Sequence, residues 1–247
     1  MVAARLQQLM ATIIHSIYRA SHLFGLGAVA IVAFFDYEQQ PSLRFKFHPI
    51  CMALGMFFLN GEALMSFRAL KAYPRYLIKA LHAALHGVSV LIAIGGIKAV
   101  RDSHYFHKNA EGVHDPLPAN QSLHAWMGAS LATLYLLVWI GSMFLFYFPL
   151  TPGHVRAMAL PYHRLGGIFS FVFATSTVGL GVLERLSWGL DCNSSGFCAE
   201  SWLVRLFVAA VLLYAASVLS IVLSPYWTQK LVAKTESERV LEARKER

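Results

Sequence analysis

Six stretches of about twenty apolar residues, each closed off by a polar connection, constrain this chain more than any other feature. They run roughly over Ile17–Phe35, Pro49–Phe67, Lys79–Val100, Leu123–Phe148, Tyr162–Leu186 and Trp202–Tyr226. A hydrocarbon layer about 30 Å thick takes roughly 20 residues of helix to cross. With no water inside that layer, each backbone polar group must find its partner within the helix or a closed barrel. None of the stretches alternates with the period of two that a membrane barrel strand needs. The connections carry the helix breakers Pro41, Pro74, Pro116, Pro118, Pro149, Pro152, Pro161 and Pro225. The expectation is an all-α membrane protein, a six-transmembrane-helix bundle forming a single domain over 1–247. Its core lies at about 17–226, and a charged tail follows over 227–247.

Composition agrees. The chain of 247 residues is 57% hydrophobic and 14% charged, whereas soluble domains are about a quarter charged. A net charge of +8 could suggest nucleic acid, but such binders gather their charge on one solvated face. Here it sits in short stretches between apolar runs, so no nucleic-acid partner is expected. Lys and Arg divide fourteen to seven between the two sides of the six spans. The positive-inside bias therefore puts both the N- and C-termini in the cytoplasm. Met1–Arg19 is polar and basic and the first apolar run is long enough to span, which speaks against a cleaved signal peptide. On this topology Cys192 and Cys198 lie outside, between helices five and six, where an oxidising compartment lets them pair. Asn120 and Asn193 head glycosylation acceptor patterns on the same side, and Cys51 reads as core.

Eleven histidines in so apolar a chain need a reason. His15, His22, His104, His107, His114 and His154 fall in loops, or in or near helix one, and His22 reads as a packed or interfacial residue. His48, His82, His124 and His163 each sit within about a turn of the start of helices two, three, four and five. A polar ring in hydrocarbon must find a partner, and ionisable residues there point to function. Helices two and four run the same way, so His48 and His124 share the outer level; His82 and His163 share the cytoplasmic one. Cofactor sites in bundles are built from facing helices, and two imidazoles with no thiolate or carboxylate suit a six-coordinate haem iron. Gly128 and Gly167, each four residues after a histidine, and Gly55, seven after His48, leave space on the same helical faces. Close helix packing is the competing explanation for any one of them. His86 lies four residues from His82, so by position either could reach the cytoplasmic iron. The pair could also hold zinc, although no Cys, Asp or Glu stands near it. Glu62 falls inside helix two, where an unpaired carboxylate costs about 2.5 kcal/mol or more, so it is expected to be paired or neutral.

These residues fall into specific motifs: His48-Pro-x-x-Met-x-x-Gly55, Asn60-Gly-Glu-Ala63, Arg68, Lys79-x-x-His82, Ser122-Leu-His-x-Trp-x-Gly128, Pro161-x-His163 and Gly181-x-x-Glu184. Over helices two to five, roughly His48 to Glu184, the chain resembles the cytochrome b-561 family of six-helix proteins that pass electrons from ascorbate across membranes. The resemblance implies two haem b groups (iron protoporphyrin IX), the outer one held by His48 and His124 and the cytoplasmic one by His82 and His163. It leaves His86 as a neighbour of the second site. It further implies ascorbate binding by Lys79, with Arg75 and Arg156, each seven residues before a ligand histidine, as its partners. The outer loop between helices three and four, with His104, His107 and Asn120, is the candidate acceptor site; Glu111, His114 and Asp115 belong to the same loop. An ascorbate-dependent oxidoreductase follows, relaying electrons to ferric iron or its chelate, or to monodehydroascorbate, with no catalytic side chain beyond the relay. The family commonly forms homodimers. Plasma membrane, endosomal, lysosomal, vacuolar or secretory-vesicle membrane would each suit the topology. Two rival readings are a quinol-linked di-haem respiratory subunit and a haem-free, His-lined metal transporter.

Overall fold

A computed structural model describes residues 2–39, 43–118, 121–148, 150–187 and 198–224, with the main chain alone at 2–8, 10, 11, 14, 36–39 and 43. Six helices among these residues are long and apolar enough to cross a membrane. Helix α1 is Val2–Gln39. Helix α2 starts as Leu43–Cys51, widens to a π-helix over Met52–Leu59 and finishes as Asn60–Ala69. Helix α3 is Arg75–Tyr105, α4 is Leu123–Ser142 with a closing π turn Met143–Tyr147, α5 is Gly153–Ser187 and α6 is Ala199–Leu223.

The helices overrun the apolar stretches from which they are expected. Helix α5 begins at Gly153, well before Tyr162, so Pro161 lies inside it instead of in a connection. Apolarity marks only the part of a helix immersed in lipid, whereas backbone pairing continues into the polar boundary. Pro161 removes one i→i−4 bond, and the helix on either side carries through. His104, expected in a loop, occupies the last turn of α3. Tyr226 and the tail 227–247 lie outside the described residues.

The π-helical stretch of α2 organises the packing. Pro49 stands in the preceding turn and cannot donate to the ladder. The wider turn displaces carbonyls from their ordinary line, and two of them are taken up by neighbouring helices. Ser89 of α3 donates to Gly55 O at 2.9 Å, and Tyr214 of α6 donates to Phe58 O at 2.8 Å. Tyr214 lies so close to Gly61 that a methyl group there would overlap its ring, which is how small residues let membrane helices approach. Phe57, Phe58 and Met65 of α2, Phe171 of α5 and Tyr214 of α6 make one buried cluster. Met56, Val90, Ala93, Leu131, Tyr135 and Ala174 make a second, drawn from α2 to α5. Helix α1 packs chiefly on α6, α2 on α3, and α4 on α5. Leu81, Val88 and Leu91 of α3 and Leu137, Ile140 and Phe144 of α4 are exposed, as befits surfaces solvated by lipid.

Candidate functional site

Two pairs of imidazoles face each other across the bundle. His48 of α2 and His124 of α4 have ring centres 6.1 Å apart with planes at 87°. His82 of α3 and His163 of α5, at the other end, have ring centres 6.2 Å apart with planes at 71°. Each ring is pinned through the same nitrogen. His48 Nδ1 meets Gly96 O at 3.1 Å, His82 Nδ1 meets Ala63 O at 2.8 Å, and His124 Nδ1 meets Thr177 O at 2.9 Å. His163 Nδ1 meets Ser142 Oγ at 3.1 Å. A carbonyl can only accept, so three of the four rings carry their proton on Nδ1 and keep a lone pair on Nε2.

This arrangement can hold one metal atom per pair. Two imidazoles binding an iron from opposite sides place their ring centres about 6.3 Å apart, from metal–nitrogen bonds of about 2.0 Å and about 1.15 Å from nitrogen to ring centre. The observed separations agree with that figure. A metal-binding histidine normally donates its other N–H to a carbonyl or similar acceptor, which fixes tautomer and ring orientation. Aromatic neighbours steady the rings further: Phe67 lies edge-on to His82 at 5.2 Å, and Phe146 is tilted against His163 at 4.8 Å. The described residues contain no group of three or more His, Cys, Asp and Glu arranged for a metal, so a closed zinc site at His82 and His86 lacks its ligands.

The three glycines divide. A methyl added at Gly167 would meet nothing within 4 Å, and one at Gly128 only Thr177 at 3.8 Å, so both leave room beside their histidines. Gly55 instead packs on α3, where a methyl would come within 3.1 Å of Ser89 O and of Ile92; for it, close helix contact is the explanation. His86 Nδ1 bonds the Tyr135 hydroxyl, and its ring lies edge-on to His82 at 4.5 Å. It supports the second pair without completing it. Nothing in the spacing of His82 and His86 reveals the tyrosine.

Lys79 Nζ donates to Tyr147 O at 3.3 Å and lies 5.5 Å over that tyrosine's ring, which ties α3 to the end of α4. Arg75 is exposed at the start of α3 and Arg156 is half-buried in the first turn of α5. Burial, and then the nearby Arg68 guanidinium, pull the pKa of the Lys71 ammonium below its ordinary value.

At the opposite end, His104 is half-buried within electrostatic range of His48. His107 N–H donates to His104 O at 3.3 Å. The segment that follows is ordered: Lys108 pairs with His114, Gly112 turns with φ +77°, and His114 Nε2 meets Tyr105 O at 2.6 Å. Asn120, Cys192 and Asn193 lie outside the described residues. Cys198 caps α6, its Sγ accepting from Ser201 N–H at 3.4 Å.

Glu62 is paired, as expected, and its partner is a residue that sequence reasoning left aside. His22 Nδ1 lies 3.0 Å from Glu62 Oε1, and the Tyr214 hydroxyl, its one proton shared with Phe58 O, lies 3.1 Å from the same oxygen. The trio joins α1, α2 and α6.

Comparison with known proteins gives a consistent result. The family model described as eukaryotic cytochrome b561 matches residues 47–189. A Caenorhabditis elegans protein, named for its homology to the transmembrane ascorbate-dependent reductase CYB561, is 31% identical over 87% of this chain and 85% of its own. Ascorbate-specific transmembrane electron transporter 1 of Zea mays is 30% identical over 83% of this chain and 88% of its own. Transmembrane ascorbate ferrireductase 1 of Arabidopsis thaliana is 29% identical over 72% of this chain and 70% of its own. The matched segment takes in all four paired histidines, both their helical hairpins and the motifs around them, and the chain belongs to the eukaryotic cytochrome b561 family.

Proposed function

We propose that this protein carries single electrons across a membrane, from ascorbate on the cytoplasmic side to an acceptor on the other, with two haem b groups as its cofactors. The observation that carries the reading is the same two-imidazole geometry at both ends of one bundle, 6.1 and 6.2 Å between ring centres. When bound, haem b supplies a one-electron Fe(III)/Fe(II) couple. In this reading His48 and His124 would hold the outer haem, and His82 and His163 the cytoplasmic one. Donation from Nδ1 to a carbonyl holds His48, His82 and His124 so that Nε2 points away from its anchor, and it raises the basicity of that nitrogen.

The excess of Lys and Arg on one side supports cytoplasmic termini. Ascorbate is an anion, and Lys79, Arg75 and Arg156 sit where a focused positive field would raise its local concentration. The Tyr147 carbonyl holds the Lys79 ammonium in place. The ascorbate monoanion gives up one electron, and one proton to the solvent, and becomes the monodehydroascorbate radical. The outer acceptor gains that electron, ferric iron becoming ferrous, or monodehydroascorbate returning to ascorbate as it also takes a proton from the solvent. His104 and His107, with Asn120, are the acceptor-side residues of this proposal, and a Cys192–Cys198 pair would close the neighbouring loop. The chain acts as one transmembrane domain with a cytoplasmic tail, as a homodimer, in the plasma membrane or in an endosomal, lysosomal, vacuolar or secretory-vesicle membrane.

The experiment is a haem assay and reduction of purified, reconstituted protein. Two haems per chain and reduction by ascorbate alone are expected. A colourless protein would support a metal transporter, and a red one reduced by quinol but not by ascorbate would support a respiratory subunit.

A further inference from the structure

The part of α5 that faces His124 makes three successive contacts with the start of α4. Thr177 O accepts the Nδ1 proton of His124 at 2.9 Å. One turn later Gly181 lies against the ring: a methyl there would come within 2.9 Å of Cε1 and 3.2 Å of Nδ1. One turn later again, Glu184 Oε2 accepts the Ser122 hydroxyl proton at 3.1 Å. Ser122 is the N-cap of α4, and its Oγ accepts Ala125 N–H at 3.1 Å. The hydroxyl therefore uses its lone pair toward α4 and its proton toward α5.

Spacings of four and three put residues 177, 181 and 184 on one helical stripe. The first N–H groups of a helix have no partner within it, so the direction in which α4 sets out depends on its cap. That cap lies two residues before His124 and is itself held by Glu184. A carboxylate beside a helix N-terminus also meets the positive end of the helix dipole. The stripe thus fixes three properties of one imidazole: its tautomer through Thr177, its tilt through Gly181, and the position of its backbone through Glu184 and Ser122. His163 Nδ1, by contrast, meets the Ser142 hydroxyl, and a methyl at Gly167 on its own helix would meet nothing within 4 Å.

We infer that the Thr177–Gly181–Glu184 stripe of α5 is the positioning element for His124, with Glu184 acting through the Ser122 cap. This rests on the proposal that His124 binds the outer haem. It gives the Gly181-x-x-Glu184 and Ser122-Leu-His sequences one joint purpose: the glycine admits the ring and the glutamate holds the serine that starts its helix. Glu184 touches neither the imidazole nor the substrate, so it is a positioning residue.

The test uses the full, haem-loaded chain with Gly181→Ala, Ser122→Ala, Glu184→Ala and Glu184→Gln, and His124→Ala as reference. Haem per chain and the midpoint potential of each haem are measured by pyridine haemochrome and spectroelectrochemical titration. Gly181→Ala and Ser122→Ala are expected to weaken retention of one haem roughly tenfold or more and to shift its potential, leaving the other haem unchanged. Glu184→Ala should match Ser122→Ala, the double variant should be no worse than either, and Glu184→Gln, which keeps an acceptor oxygen, should retain haem like the parent. If His124→Ala strips one haem while Gly181→Ala and Ser122→Ala alter neither, the positioning inference fails and the ligand proposal stands. Equal loss of both haems in the Ser122 and Glu184 variants also overturns it, because that is general loosening. Two haems retained in His124→Ala would overturn the ligand proposal itself.

Discussion

His48 and His124 stand 6.1 Å apart across the bundle, yet their hydrogen bonds run away from each other, to α3 and α5 respectively. The opposite end repeats the division, with His82 bonded to α2 and His163 to α4. Helices α2 and α3 form one hairpin and α4 and α5 the other. Each hairpin prepares one imidazole for each end, with its own atoms.

Independent preparation predicts selective loss. His48→Ala or His124→Ala should remove one haem per chain, and His82→Ala or His163→Ala the other, each leaving the remaining haem with its parent spectrum. Haemochrome analysis of the purified variants checks this, and a single variant that loses both haems would contradict the division.

Only His163 is anchored by a side chain that can be replaced. Ser142→Ala removes that anchor while a small residue stays in place. Retention of the haem at this end should fall roughly tenfold or more, as it does when such supporting partners are removed. Ser142→Thr keeps a hydroxyl and should restore most of it. Dilution-driven haem loss, followed by absorbance, reads the difference.

The charged mouth makes a kinetic prediction. Replacing Lys79 and Arg75 together with Ala should slow reduction by ascorbate, while reduction by dithionite keeps its rate. In the parent the ascorbate rate should also fall with added salt, since long-range steering between exposed charges is screened over about 10 Å at 0.1 M. Stopped-flow traces that show no dependence on salt would count against a charged entry.

The Glu62 trio predicts a stability effect remote from the haems. His22→Ala leaves Glu62 with Tyr214 as its hydrogen-bond partner among the contacts described here. A buried group that loses its partner costs about 1–3 kcal/mol, more when charged. Thermal unfolding in detergent should show that loss, and adding Glu62→Gln to His22→Ala should recover part of it because the amide carries no charge.

Much of this was legible in the sequence. Each of the six apolar stretches, over its described residues, falls on a helix, because a hydrocarbon layer leaves the backbone only a helix or a closed barrel and none of the stretches alternates as a barrel strand must. The four histidines could be read because each stands near the start of an apolar stretch, and alternating helix directions sort them into two levels; the helices themselves begin earlier, so His82 lies seven residues into α3 and His163 ten into α5. What could not be read depends on tertiary contact. The carbonyls of Gly96, Ala63 and Thr177 carry no side-chain signature, so the nitrogen on which each ring is held stays hidden until the helices are docked. Gly55 and Gly128 each follow a histidine on its own helical face, yet one is pressed against Ser89 and the other would meet only Thr177, at an ordinary contact distance of 3.8 Å. His22 appeared unremarkable because its partner lies 40 positions away. Helix ends are the least legible, as at Gly153 and His104, because backbone pairing continues past the apolar residues that mark the helix.

The π-helical stretch of α2 has a bearing on how tolerant this chain is of insertion and deletion. Its widened turns rotate Asn60–Ala69 relative to Leu43–Cys51, and that offset is what lets one helix show His48 to α4 and the Ala63 carbonyl to His82. A residue inserted in the ordinarily wound part between Leu59 and Ala63 would turn that carbonyl by roughly 100° about the helix axis relative to His48. Both ends could then no longer be in register together, although no residue that touches either imidazole pair had changed.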